Sequence, residues 1–231
     1  MQIHGIQKLT LLDFPGHTAC TVFTGACNFR CPFCHNASLV LNPSQQPLVP
    51  EKDVLAYLAS RKGLLDGVCI TGGEPTLQED LLEFMGKVKA LDLAVKLDTN
   101  GWDPETLAMI VENGFADYVA MDVKSSRERY AEACGLKQFD TAQVEESVKL
   151  LKKAIVPYEF RTTVVRELHD TAVMEAIGEW LGDVPRYFLQ NFKDSGDLLT
   201  HSCTGCSPSE MQALLAAVRQ YIPSAELRGV S

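Results

Sequence analysis

The 231-residue sequence contains no apolar run near the roughly 18 residues that a membrane-spanning helix requires. Its amino-terminal segment, MQIHGIQKLTLLDFPG, lacks the apolar stretch and small-residue cleavage site of a secretory signal, so we predict a cytoplasmic protein. The chain also has no excess of basic residues, because its formal net charge is −9. This acidic balance argues against nucleic acid as a partner. Aromatic residues are few (8%), but apolar residues make up 46% of the chain, enough to build a sizeable folded core.

Short β-rich runs alternate with amphipathic segments along the chain. The runs cover residues 19–24, 67–71, 94–98, 117–121, 158–165 and 186–191. This alternation predicts an α/β fold with a parallel sheet and outer helices, and six strands suit an open partial (β/α)6 TIM-like barrel. A flat doubly wound sheet is an alternative that the pattern alone leaves open.

We expect one domain over residues 1–231, with a core over about 17–192 and a carboxy-terminal helix and tail over 193–231. Helix starts are marked by residues that favour N-terminal caps. Thr76 and Glu79 have capping-box spacing, and Asp103, Asp170 and Ser207 are further expected caps.

Polar motifs follow the predicted strands at their carboxyl ends. A cysteine-rich segment follows the first strand, TGGEP (71–75) the second, DTNG (98–101) the third and MDVK (121–124) the fourth. Because the carboxyl ends of parallel strands meet at one edge of the sheet, we predict the active site there.

Three of the eight cysteines lie in GACNFRCPFCHN with the spacing C-x3-C-x2-C: Cys27, Cys31 and Cys34. Clustered cytosolic thiols more often bind metal than form disulfides. A four-iron cluster on three thiolates keeps one iron free of protein ligands, whereas structural zinc needs a fourth ligand such as His35. Zinc and unligated thiols remain open here. Of the other cysteines, we expect Cys20 and Cys69 in the core, leave Cys134 unassigned, and expect Cys203 and Cys206 to form a reduced, non-ligating pair.

The C-x3-C-x2-C pattern after a first strand, with Phe33 before the last cysteine, resembles the signature of radical S-adenosylmethionine (SAM) enzymes. The stretch Gly72-Gly73-Glu74-Pro75 resembles the glycine-rich motif of that family. Within the family, residues 12–16, 34–36, 98–101, 121–124 and Arg161 resemble the activases of glycyl radical enzymes. The segment from residue 11 to residue 36 looks most like the activating protein of anaerobic ribonucleoside-triphosphate reductase.

The resemblance implies a [4Fe–4S] cluster on Cys27, Cys31 and Cys34, with SAM bound to its open iron. Reductive cleavage of SAM would give a 5′-deoxyadenosyl radical that abstracts hydrogen from a glycine of a partner enzyme, anaerobic ribonucleoside-triphosphate reductase by resemblance. An electron donor such as flavodoxin or ferredoxin is implied as well. Alternatives are the activase of a formate-lyase-type glycyl radical enzyme, a small-molecule radical SAM enzyme of the carboxy-deazaguanine synthase type, and a zinc-binding interaction module.

The resemblance also implies roles for further residues. Contacts to SAM are implied for Phe33, Asn36, Gly72, Gly73, Glu74, Asp122 and Lys124. A monovalent cation, Na⁺ or K⁺, is implied at Asp98, Thr99, Met121 and Asp122. Asp13 and Arg161 are implied to meet the glycine-bearing loop of the partner, although a structural ion pair would equally explain an arginine on an apolar strand.

Overall fold

In the computed structural model, which describes residues 1–194 and 196–229, eight strands form one sheet in the order β1 to β8. β1 runs antiparallel to β2, and all later neighbours pair in parallel. The strands are β1 (Ile3–Thr10), β2 (Ala19–Thr24), β3 (Gly67–Gly72), β4 (Ala94–Thr99), β5 (Tyr118–Asp122), β6 (Tyr158–Val164), β7 (Tyr187–Asn191) and β8 (Ala225–Arg228).

Helices occupy most of the connections between these strands. They are α1 (Ala37–Leu41), α2 (Glu51–Ser60), α3 (Leu81–Lys89), α4 (Pro104–Glu112), α5 (Tyr130–Ala133), α6 (Ala142–Lys152), α7 (Thr171–Leu181) and α8 (Pro208–Arg219), with 3₁₀ turns at Pro43–Gln45 and Pro75–Leu77. Within the described ranges, no helix combines the length and the apolar character that crossing a membrane requires.

The predicted α/β partial barrel is confirmed, and the six predicted strands are β2 to β7. Each strand of this series lies next to the strand that follows it in the chain, whereas a doubly wound sheet reverses its strand order at a switch point. The sequence analysis missed β1 and β8. β1 is a partly exposed edge strand without a continuous apolar run, and β8 has only four residues.

β8 is attached to the barrel by a buried ion pair. Glu159 on β6 is fully buried, and its carboxylate accepts hydrogen bonds from both terminal nitrogens of Arg228 on β8, at 2.7 and 2.9 Å. The Tyr118 hydroxyl on β5 donates to the same carboxylate at 2.8 Å. A buried carboxylate is stable only when it is paired in this way, so this contact fixes the last strand to the sheet.

Most of the expected helix caps are present. The side chains of Asp103 and Asp170 accept from backbone N–H groups three residues later, and Ser207 forms a capping box. The capping box predicted at Thr76 is wrong, because α3 begins after Asp80 instead. The Thr76 amide and hydroxyl donate to the carboxylate of Glu74, at 3.2 and 2.7 Å.

Candidate active site

A cavity of about 170 Å³ lies at the carboxyl ends of the parallel strands. It is bounded by the loop after β2, here called the cysteine loop (residues 25–36), and by the ends of β3, β4 and β5. Most of the residues singled out in the sequence line it: Cys27, Cys31, Phe33, Cys34, Asn36, Gly72, Gly73, Glu74, Asp98, Thr99, Asp122 and Lys124. The topology therefore brings together motifs that are up to about a hundred residues apart in the chain.

The cysteine loop is held in place mainly through backbone contacts. Ala26 adopts a left-handed conformation (φ 65°), and its carbonyl accepts from the Glu74 amide at 2.8 Å. The Asn36 side-chain amide donates to the Gly72 carbonyl at 2.9 Å. At Gly73 a Cβ atom would lie 2.6 Å from the carbonyl carbon of Ala26, so only glycine permits this approach.

Glu74 connects the ends of two strands. Its side chain is buried, and its carboxylate accepts from the Thr99 hydroxyl at 2.8 Å and from the Asn100 amide at 2.7 Å, in addition to the Thr76 groups. Burial raises the pKa of Glu74, and these donors oppose that rise. The described contacts of this carboxylate thus tie β3 to β4, and its predicted contact with SAM stays a prediction.

The three cysteine-loop thiols differ in their environments. Burial raises the pKa of Cys27 to about 12 and also raises the pKa of Cys34. The pKa of Cys31 is lowered, because a hydrogen bond from the Cys134 thiol and the charge of Lys124 outweigh burial. Cys134, which the sequence analysis left unassigned, is therefore a buried neighbour of Cys31.

The donor set fits an iron–sulfur cluster better than a closed zinc site. No three Cys, His, Asp or Glu side chains within residues 1–194 and 196–229 converge as binding of one metal ion requires. His35 stacks on Phe192, with ring centroids 5.2 Å apart, and its Nε2 lies 2.7 Å from the Lys193 carbonyl oxygen. The three cysteine-loop thiols line one cavity, with Lys124 near Cys31, and thiolates are the usual ligands of iron–sulfur clusters. Ligation of a cluster by these thiols stays a prediction.

Charged side chains form a continuous chain of contacts beside the thiols. Arg161 on β6 donates to Asp98 at 3.2 Å and to Asp122 at 2.9 Å, and Lys124 donates to Asp122 at 3.0 Å. Lys96 contacts the other oxygen of Asp98. Burial raises the pKa of both aspartates, but Arg161 and the lysines outweigh it, so each pKa lies below its ordinary value and both carboxylates are ionised at neutral pH.

Three residues predicted for the site do not line the cavity. Met121 is fully buried, and its side chain packs against the turn at Gly101. Arg161 forms the ion pairs with Asp98 and Asp122 just described. A structural ion pair was the alternative to partner binding that the sequence analysis gave for this residue. Asp13 accepts from the Thr21 hydroxyl at 2.5 Å, near the amino-terminal end of β2, and its neighbour Leu12 is 87% exposed. The predicted partner contacts of Asp13 and Arg161 stay predictions.

Sequence reasoning missed two further residues of this region. Lys96 is buried in the middle of β4, and a lysine within the apolar run AVKLD was a signal that could have identified it. Asn100 lines the cavity, and its side-chain amide donates to the Asn28 side-chain oxygen in the cysteine loop at 2.8 Å. Asn100 lies within the DTNG motif, but its contact joins two loops distant in sequence, so no local pattern predicts the contact.

The segment after β7 crosses the outer side of the cysteine loop. The Thr200 amide donates to the Pro32 carbonyl at 3.2 Å, and the Ser38 hydroxyl donates to Asp197 at 2.8 Å. The Asn191 side chain is hydrogen bonded to both backbone groups of Cys206, each at 2.8 Å. Cys203 and Cys206 form no disulfide, and they belong to a segment that contacts the loop; their predicted state as a non-ligating pair stays a prediction.

Comparisons with known proteins agree with this arrangement. The model of the radical SAM superfamily matches residues 21–178. A protein of Methanocaldococcus jannaschii, whose name assigns it as a glycyl-radical enzyme activating enzyme, is 31% identical over 99% of this chain and 96% of its own length. A protein of Thermococcus kodakarensis assigned as a GTP 3′,8-cyclase is 30% identical over 67% of this chain, which spans about half (50%) of that relative.

Solved structures share the fold. A domain of pyruvate-formate lyase-activating enzyme from Bacteroides vulgatus superposes with a TM-score of 0.58 at 20% identity, covering 71% of this chain and 99% of that domain. SuiB from Streptococcus suis bound to S-adenosylmethionine gives a TM-score of 0.67 at 14% identity, covering 88% of this chain and 48% of SuiB. At these identities, the likeness shows the architecture alone.

Proposed function

This chain belongs to the radical SAM superfamily, and from that membership we propose that it is the activating enzyme of a glycyl radical enzyme, with anaerobic ribonucleoside-triphosphate reductase as the partner. The family implies a [4Fe–4S] cluster and SAM as cofactors. The activating function is supported by the Methanocaldococcus jannaschii relative, which this chain matches over almost its full length.

The observation that carries the proposal is the set of residues that line the cavity at the carboxyl ends of the strands. It combines the three thiols of the cysteine loop with the glycines after β3 and the charged pair after β5. Thiolates suit iron, the glycine turn packed against the cysteine loop offers backbone groups to a small bound molecule, and Lys124 suits a carboxylate. These groups together match a site for a metal cluster beside an amino-acid-like cofactor.

In this proposal Cys27, Cys31 and Cys34 hold the cluster. Such a cluster, once reduced, would supply the electron for reductive cleavage of SAM, the chemistry that gives the radical needed to take a hydrogen atom from the target glycine. Lys124 offers its ammonium to the carboxylate of SAM, and Asp122, 3.0 Å away, keeps that ammonium oriented. Burial alone would lower the pKa of Lys124, but Asp122 reverses the effect and raises it, so Lys124 is cationic throughout the neutral pH range.

Other cavity residues complete the binding site in the proposal. Phe33 is buried and provides an apolar wall for the adenine, and Gly72 and Gly73 present backbone groups to the methionine moiety. Asn36 donates to the Gly72 carbonyl and so keeps the glycine turn against the cysteine loop. Beside the exposed side chain of Leu12, Asp13 is the proposed contact with the glycine-bearing loop of the partner, and Arg161 is the second.

The experiment is anaerobic reconstitution with iron and sulfide, followed by incubation with SAM, a reductant and the candidate reductase. We expect about four irons per chain, 5′-deoxyadenosine as a product, and a glycyl doublet in the electron paramagnetic resonance spectrum of the reductase. A reductase variant with the target glycine changed to alanine is the matched control and should give no doublet.

The outcomes separate the levels of the proposal. A doublet with a formate-lyase-type enzyme, and none with the reductase, would reject the proposed partner and keep the activating function. SAM cleavage without a doublet on either enzyme would point to a small-molecule substrate. Bound zinc in place of iron, with no 5′-deoxyadenosine, would reject the radical SAM mechanism for this chain.

A further inference from the structure

Lys96 is a buried cation at the centre of β4. Its side chain is 1% exposed, and its Nζ contacts the Asp98 carboxylate and lies 3.7 Å from the Cys69 sulfur. Val95 and Leu97 on either side pack into the core shared with the helices. Since side chains alternate along a strand, Lys96 and Asp98 both face the other side of the sheet, which is the barrel interior.

The two aspartates at this place have a cationic partner on every carboxylate oxygen. Asp98 contacts Lys96 through Oδ1 and Arg161 through Oδ2 at 3.2 Å. Asp122 contacts Arg161 through Oδ1 at 2.9 Å and Lys124 through Oδ2 at 3.0 Å. Three positively charged side chains therefore surround two carboxylates, and of the three only Lys124 lines the cavity.

The Thr99 hydroxyl, another group at which the resemblance implied a monovalent cation, is also engaged. It donates to Glu74 at 2.8 Å and accepts from the Gly101 amide at 3.1 Å. A cation at this place would have to displace the Lys96 ammonium or compete with it for Asp98, which costs the pairing of a buried charge.

We propose that the Lys96 ammonium is the built-in counter-cation of Asp98, so that SAM binding by this enzyme requires no bound Na⁺ or K⁺. Lys96 acts as a positioning residue: together with Arg161 it neutralises Asp98, while Arg161 and Lys124 pair with Asp122 and Lys124 lines the cavity. This inference rests on the proposed function, because Asp98 and Asp122 line the proposed SAM cavity.

The test measures SAM affinity and 5′-deoxyadenosine formation by the reconstituted holoenzyme at constant ionic strength in K⁺, Na⁺, Li⁺ or tetramethylammonium. For the wild type we expect values within about twofold across the four salts. For Lys96→Met we expect SAM affinity to fall about tenfold in tetramethylammonium and to be restored by K⁺ or Na⁺, because a bound ion and SAM then become coupled ligands.

Three variants control this interpretation. Lys96→Arg keeps a cation and should stay independent of the salt. Lys96→Met combined with Asp98→Asn removes both charges, so it should fold even where the single variant does not, and it should also be salt-independent. Lys89→Met removes a half-exposed lysine paired with Asp117 outside the site and should behave as the wild type.

A wild-type enzyme that loses SAM affinity about tenfold when K⁺ and Na⁺ are replaced by tetramethylammonium would overturn the inference and leave the proposed function intact. Salt independence of a folded Lys96→Met variant would overturn it as well. A reconstituted wild type that neither binds nor cleaves SAM in any salt would instead reject the proposed function.

Discussion

Replacing Gly73 by alanine tests how strictly the glycine turn after β3 positions the cysteine loop. A Cβ atom there would overlap the carbonyl oxygen of Ala26 and lie 2.6 Å from its carbonyl carbon, whereas contacts below 3.0 Å are essentially never seen. Clearing the carbon alone requires about 0.4 Å of movement (3.0 minus 2.6 Å), and the oxygen requires more. Both partners are backbone, so no side chain can rotate away.

The expected loss has a stability component and an activity component. Overpacking of this kind costs about 1–3 kcal/mol, and the Glu74 amide bond to Ala26, now 2.8 Å, would lengthen. Because the displaced segment carries the thiols, we expect SAM cleavage to fall by about 100-fold, as misplacement of reacting groups by about an ångström does. The measurements are urea unfolding of the apoprotein and 5′-deoxyadenosine formation by the reconstituted enzyme.

Gly86→Ala is the matched control. Gly86 lies inside α3, and its Cβ would meet Phe115 at 3.6 Å, which is ordinary contact. Removing a glycine from a helix should stabilise the protein by about 0.4–1 kcal/mol and leave SAM cleavage unchanged. Wild-type stability, iron content and SAM cleavage in Gly73→Ala would refute the reasoning, because they would mean that the loop absorbs the methyl group without cost.

Three further predictions address the ligands, the charge network and the last strand. Cys31→Ala should lose bound iron and SAM cleavage, while Cys69→Ala, in the buried strand β3, should retain both; iron content and product analysis decide. Arg161 and Lys124 lower the pKa of Asp122 in the folded protein, although burial alone would raise it. The ionised carboxylate therefore stabilises the fold at pH values above the pKa that Asp122 has in the unfolded chain, and this stabilisation is lost as the pH falls below that pKa. Apoprotein stability should therefore decline below about pH 4, and Asp122→Asn should make that decline shallower in urea titrations; an unchanged slope would contradict this. Arg228→Met removes the guanidinium that is hydrogen bonded to the buried Glu159 carboxylate and should cost about 3–5 kcal/mol of stability. Glu159→Gln should cost less, since Arg228 is 32% exposed and can reach water; equal losses would refute this account.

The parallel strands and the place of the site could be predicted because they depend on local patterns. Apolar runs such as residues 67–71 become strands wherever they are buried on both faces, and the carboxyl ends of parallel strands necessarily share an edge. The structure places Cys27, Gly73, Asp98 and Lys124 around one cavity for this reason. The spacing of the three thiols left zinc and unligated thiols open, and only the family resemblance implied a [4Fe–4S] cluster.

Other features follow no local pattern. β1 is partly exposed and β8 is short, so neither carries a clear strand signal. β1 joins the sheet by pairing with β2, and β8 joins it by pairing with β7 and through the ion pair between Glu159 and Arg228. Thr76 has the right spacing to cap a helix, yet it donates to Glu74, because a buried carboxylate needs donors more than the helix needs a cap.

The sequence by itself determined the chemistry available to this protein: three closely spaced thiols, glycines after the second parallel strand and charged residues at the strand ends. Only the tertiary structure decided how those charges are paired. Lys96 lies two residues before Asp98, but its burial and its contact with Cys69 arise from the neighbouring strand, and Arg161 reaches both aspartates from a strand more than sixty residues away from Asp98. Which charged side chains pair depends on their distance and burial in the folded protein, and neither quantity can be read from their spacing in the sequence.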